Sequence, residues 1–248
     1  PSAGARSGRL RSAVEPDRVL NWAPHILLFV SGALALIYEI LWMRRFATVF
    51  GAATPAVAAT LAAVFLGFTA GSLLIGAAAV RSRRPLRAYA MIEFGAAAGA
   101  LLVEPLLRLY QQFYPGLYQT LAGSPAALTA IKTVLAMVAL FLPTFCMGGT
   151  VPLLGQALAT GPRRLGVTTG GLYAANTLGA AVGAFSVPFF WLPNLSLRAS
   201  YGICILGNLL IGALAWWLDR GGQNVVCQKQ PTQEPTAKAP EQETARLP

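Results

Sequence analysis

The stretch HILLFVSGALALIYEILWMRRF, His25–Phe46, decides the fold. A helix rises 1.5 Å per residue, so about 20 residues cross the ~30 Å hydrocarbon core of a bilayer. This run has that length and is apolar almost throughout. It contains one carboxylate, Glu39, and closes on Trp42, Arg44 and Arg45. A charge at the centre of a bilayer costs ~2.5–3.5 kcal/mol on insertion scales. Glu39 is therefore expected to face the interior of a helix bundle and to meet a partner there.

Five further runs of similar length follow at Pro55–Val80, Arg87–Leu107, Ala126–Leu158, Val167–Leu192 and Ala199–Leu218. The fold class is all-α: a polytopic membrane bundle of six transmembrane helices. The fourth run is too long for one straight span and holds Pro143, Gly148, Gly149 and Pro152. Proline removes a backbone donor and clashes with the preceding turn, so a kink or break is expected there, with room for a seventh short segment. Composition agrees. The 248 residues are 55% hydrophobic and 11% charged, where a soluble domain carries about 25% charged residues. The net charge of +10 does not indicate nucleic acid. The arginines stand at the ends of apolar runs and form no basic face.

Arginines do indicate orientation. Arg6, Arg9, Arg11 and Arg18 precede the first run, Arg81, Arg83, Arg84 and Arg87 follow the second, and Arg163 and Arg164 follow the fourth. The positive-inside rule then puts both termini in the cytoplasm, with Arg44 and Arg45 on the wrong side. Residues 1–22 read as a disordered basic segment, 23–220 as the membrane bundle and 221–248 as a disordered polar tail. The first run is too long for a signal-peptide core. Cys146, Cys204 and Cys227 have no paired spacing, so neither a disulfide framework nor a metal site is expected. Gly67–Gly71, Gly95–Gly99 and Gly179–Gly183 have the spacing that lets helix backbones approach closely in lipid.

Counting depth along the runs places Glu39 ~20 Å in from the cytoplasmic end and Lys132 ~9 Å in from the other. The two are expected at one level, which suggests a Glu39–Lys132 or a Glu39–Arg44 pair. Arg45 and Glu104 fall near the outer boundary. Glu93 falls in the inner third, where it either reaches the basic second connection or lines an inward-facing cavity. Asn176 and Asn208 fall near the midplane and are expected to hydrogen-bond across helices. Glu39, Arg44, Arg45, Lys132, Glu104 and Glu93 form the candidate ligand cluster. There is no Ser/His/Asp set, metal cluster, phosphate loop or cofactor motif, so catalysis by this chain is not expected.

Four stretches carry a family resemblance. SGALALIYEILWMRR (Ser31–Arg45), PTFCMGGTVPLL (Pro143–Leu154), GGLYAANTLGAAVGAF (Gly170–Phe185) and LPNLSLRASY (Leu192–Tyr201) together resemble the membrane region of spermidine-synthase-like bacterial proteins. The family pairs such a region with a soluble aminopropyltransferase-like domain, which has no matching positions here. The resemblance implies a non-catalytic inner-membrane domain, and the carboxylates within the apolar runs, Glu39, Glu93 and Glu104, which would suit a polycation, point to one that handles or senses polyamines or a small cationic solute. It equally accommodates a structural subunit of a larger membrane complex, or the membrane anchor of a truncated aminopropyltransferase that works with a separate soluble domain. GAAAVRSRRPL (Gly76–Leu86) is similar to a connection in half of a major facilitator transporter, although Val80 stands where an acidic residue is expected.

Overall fold

In hydrocarbon every unpaired backbone N–H or C=O costs several kcal/mol, and a helix pairs them all within one segment. The apolar runs obey this. The structure is a computed structural model that describes residues 16–51, 54–158 and 162–220. Its helices are α1 (Pro16–Phe50), α2 (Thr54–Ala79), α3 (Pro85–Leu121), α4 (Pro125–Leu158), α5 (Pro162–Ser186), the single turn α6 (Leu192–Asn194) and α7 (Leu197–Arg220). A π-helical segment, Val187–Trp191, joins α5 to α6. Six of these stretches are long and apolar enough to cross a membrane, and no strand occurs among the described residues. The chain is an all-α, multi-pass membrane protein. Residues 1–15 and 221–248 of the two tails expected to be disordered, Cys227 among them, lie outside the described residues, and α1 already begins at Pro16.

Two elements differ from expectation. The fourth helix is not broken: α4 runs from Pro125 to Leu158 with Pro143 and Pro152 inside it. Neighbouring helices hold it. The Pro143 ring packs on Gly99 of α3 and Pro152 on Gly76 of α2, while Thr144 Oγ1 donates to the Leu140 carbonyl at 2.6 Å. The interruption falls instead after α5, at the π-helical segment. The third helix is also longer than its apolar run. It spans 37 residues, or about 55 Å, well beyond a ~30 Å core. Tyr110, Tyr114 and Tyr118 recur at helical spacing, their rings tilted against one another with centroids 5.4 and 5.9 Å apart. That ladder lines α3 beyond Leu107, where its apolar run ends.

Small residues set the packing. α2 against α4 is the most extensive contact, followed by α1 against α5. A Cβ at Gly67 or Gly71 would run into Thr144 or Phe145 of α4, and one at Gly148 into the Phe68 backbone. Gly95 and Gly99 meet Cys146 and Pro143, and Gly179 and Gly183 meet the Phe29 and Ala33 carbonyls. All three glycine pairs are used within the bundle. At one end, Asp219 of α7 pairs with Arg87 at 2.5 Å and with Arg84 at 3.9 Å, fastening the α2–α3 connection.

The connections at Ser82 and Gly123 lie at opposite ends of α3. A membrane-impermeant maleimide is expected to label only one of Ser82→Cys and Gly123→Cys in intact cells, and the other in inverted vesicles. The test uses a Cys227→Ser background, in which native Cys146 and Cys204, both buried, stay unlabelled in either case.

Candidate functional site

Two polar regions and one groove come from the deep polar residues. The first region is a node around Glu93 on α3, which is 1% exposed. Ser31 Oγ of α1 donates to one carboxylate oxygen at 2.7 Å, and Asn208 Nδ2 of α7 donates to the other at 2.6 Å. Beside it, the Tyr89 hydroxyl donates to the Leu27 carbonyl at 3.2 Å. Glu93 thus reaches neither the basic connection nor a cavity: it ties three helices together. Asn208 hydrogen-bonds across helices through this same contact, and its Oδ1 has no partner in the structure.

The second region lies toward the α3–α4 end. Trp42 Nε1 donates to the Tyr201 hydroxyl at 2.7 Å, which donates onward to the Ala100 carbonyl at 2.9 Å. Tyr38 stacks on Trp42 and meets Tyr201 edge-on. One turn beyond, Arg45 forks onto Glu104 through Nε at 2.9 Å and Nη2 at 3.0 Å. Arg108 Nε adds a third bond to the same carboxylate at 3.0 Å. Two parallel N–H bonds to one carboxylate is the strong geometry for arginine. Arg45, placed on the wrong side by the charge count, is neutralised here. A cavity of about 580 Å³ opens beside this pair, between α1, α3 and the start of α7.

The expected Glu39 pairs do not form. Lys132 Nζ donates to the Phe50 carbonyl at 2.9 Å and stands 5.8 Å from the Tyr114 ring. α1 continues to Phe50, so Lys132 sits at the helix end, about 16 Å along α1 from Glu39. Arg44 is five residues from Glu39, and 100° per residue turns it about 140° away. Arg44 is exposed. Among the described residues neither Arg44 nor Glu39 forms an ion pair.

Glu39 does share a face with something else. It follows Gly32 by seven residues and Ala35 by four, the spacing of one helix stripe. Gly32 and Ala35 line a groove of about 430 Å³ between α1, α2, α4 and α5. Its polar wall is Ser31, Ser72, Thr150, Thr169, Tyr173 and Asn176. Thr169 Oγ1 is buried without a hydrogen-bond partner. Gly148 and Pro152 of the α4 motif form part of the same wall, with Gly149 just behind on Ile75 of α2. Asn176 therefore lies at the groove, not in a helix-to-helix hydrogen bond. Glu39 itself is half-buried, one turn beyond the groove.

Sequence reading missed Ser31, Trp42, Tyr201 and Arg198. Hydroxyls and indoles occur on lipid and interior faces alike, and Arg198, a lone arginine between the fifth and sixth apolar runs, reads in the sequence only as a topology signal. Among the described residues no group of three His, Cys, Asp or Glu could hold a metal ion. No family model, curated protein or solved structure matches the chain.

Proposed function

We propose that this chain is a non-catalytic membrane module that binds a small organic cation of the polyamine class in the groove between α1, α2, α4 and α5. Glu39 is the counter-charge. One observation carries the reading: among the described residues Glu39 is the deep carboxylate with neither a cation nor a hydrogen-bond donor, and it stands on the helix stripe that lines the groove. Glu104 is saturated by two arginines, and Glu93 is sealed by Ser31 and Asn208. Neither offers a charge to a ligand. The hydroxyls and amide of the groove supply acceptors for ammonium N–H groups, and its apolar floor suits the methylene stem between them.

The family resemblance supports the same place. Ser31–Arg45, Pro143–Leu154 and Gly170–Phe185, the stretches similar to spermidine-synthase-like membrane regions, each contribute lining residues to the groove. In this reading the chain sits in a bacterial inner membrane with both termini cytoplasmic, supported by the arginine-rich connections at one end of the bundle.

Ligand binding to the folded state raises apparent stability, by about 2.7 kcal/mol at a ligand concentration 100-fold above Kd. Spermidine is expected to raise the thermal midpoint of the purified protein, and Glu39→Gln to abolish that rise while leaving the ligand-free midpoint nearly unchanged. A rise of equal size in Glu39→Gln would remove Glu39 from the site.

A further inference from the structure

We infer that the cavity at the α3–α4 end of the bundle holds the phosphate headgroup of an anionic lipid. The cavity, about 580 Å³, is lined by Arg45, Arg108, Arg198 and a single carboxylate, Glu104. Three guanidiniums against one carboxylate leave two positive charges in excess. The single charge of Glu104 is already shared by two of them, since its oxygens accept from Arg45 Nε, Arg45 Nη2 and Arg108 Nε. Arg198 is exposed and has no ion pair among the described residues, and the hydrogen bond of Arg108 to Glu104 runs through Nε, with none through its terminal nitrogens among the described residues. The excess charge repels a polyamine and attracts an anion.

The backbone adds to it. α7 starts at Leu197, and Ser196 Oγ accepts from the Ala199 amide at 3.2 Å. The amides of Leu197 and Arg198 open the helix, where the dipole is positive and no intrahelical acceptor exists. Both residues line the cavity. The rest of the wall is apolar, with Leu41, Val103 and Ile205 on three different helices. A basic mouth over an apolar wall fits a headgroup joined to an acyl chain better than a free anion. Planar guanidiniums pair bidentately with phosphate oxygens.

The full chain in phosphatidylcholine nanodiscs, titrated with phosphatidylglycerol and read by native mass spectrometry, tests this. Wild-type protein is expected to retain one phosphatidylglycerol in preference to phosphatidylcholine. A basic residue near an anionic lipid contributes enough that Arg198→Gln should weaken retention about fivefold, and Arg108→Gln with Arg198→Gln about twenty-fold. Arg198→Gln disturbs no bond in the fold. Arg44→Gln, at the same end but outside the cavity, should leave retention unchanged. Equal retention of the two lipids, or equal losses in Arg44→Gln and Arg198→Gln, would overturn the site. Displacement of the lipid by millimolar inorganic phosphate would overturn the lipid assignment and make the ligand a free anion.

Discussion

Gly179→Leu is expected to remove the folded protein, seen as loss of the monodisperse peak in detergent size-exclusion. A Cβ at Gly179 would overlap the Phe29 carbonyl of α1, which is backbone and cannot rotate aside. α1 and α5 would have to separate along one of the two most extensive contacts of the bundle. Overpacking a core costs typically 1–3 kcal/mol. Here the cost should reach at least ~3 kcal/mol, because in lipid no hydrophobic force restores a parted helix pair. Against a total stability of about 5–15 kcal/mol that is a large fraction. Gly170→Leu supplies the control on the same helix. Nothing lies within 4 Å of a Cβ there, so its effect should stay within about 0.5 kcal/mol.

Glu93→Ala is the second large effect. The carboxylate is fully buried and both oxygens are occupied. Alanine leaves the Ser31 hydroxyl and the Asn208 amide without an acceptor and opens a cavity among α1, α3 and α7. An orphaned buried polar group costs about 1–3 kcal/mol. Two such groups cost about 2–6 kcal/mol before the cavity is counted, but interhelical hydrogen bonds in membranes average only ~0.6 kcal/mol. The low end with a small cavity cost added, about 3 kcal/mol, is therefore expected in equilibrium unfolding. Glu93→Gln retains an acceptor and should cost about 1 kcal/mol. A double-mutant cycle with Asn208→Ala should return a coupling of about 1 kcal/mol. A Glu93→Ala variant as stable as wild type would mean that the node does not hold the helices.

Apolar run lengths made the six spans legible, because the bilayer imposes one length and one secondary structure. Their ends were less legible. α3 overran its apolar run through the tyrosine ladder, and α1 overran Phe46 to Phe50. That second overrun displaced the depth count for Lys132 and separated it from Glu39. Depth counting did place Arg45 and Glu104 at one level, where they pair. It could not say which helices face each other. So Glu93 and Asn208 were assigned different depths, although they touch. The prolines of α4 predict a kink or a break; the break does not occur, because close glycine packing from α2 and α3 keeps that helix continuous. The groove was not legible as a groove. Its wall combines hydroxyls from four helices, and nothing in a one-dimensional pattern marks which hydroxyls converge.

The claim that Glu39 serves a cation in that groove is tested most directly by isothermal titration of spermidine into the purified protein. Wild type is expected to bind one spermidine, and Glu39→Gln to bind at least about tenfold more weakly, the loss of one charge-assisted contact. Absence of heat with wild type, or equal affinity in Glu39→Gln, would contradict it.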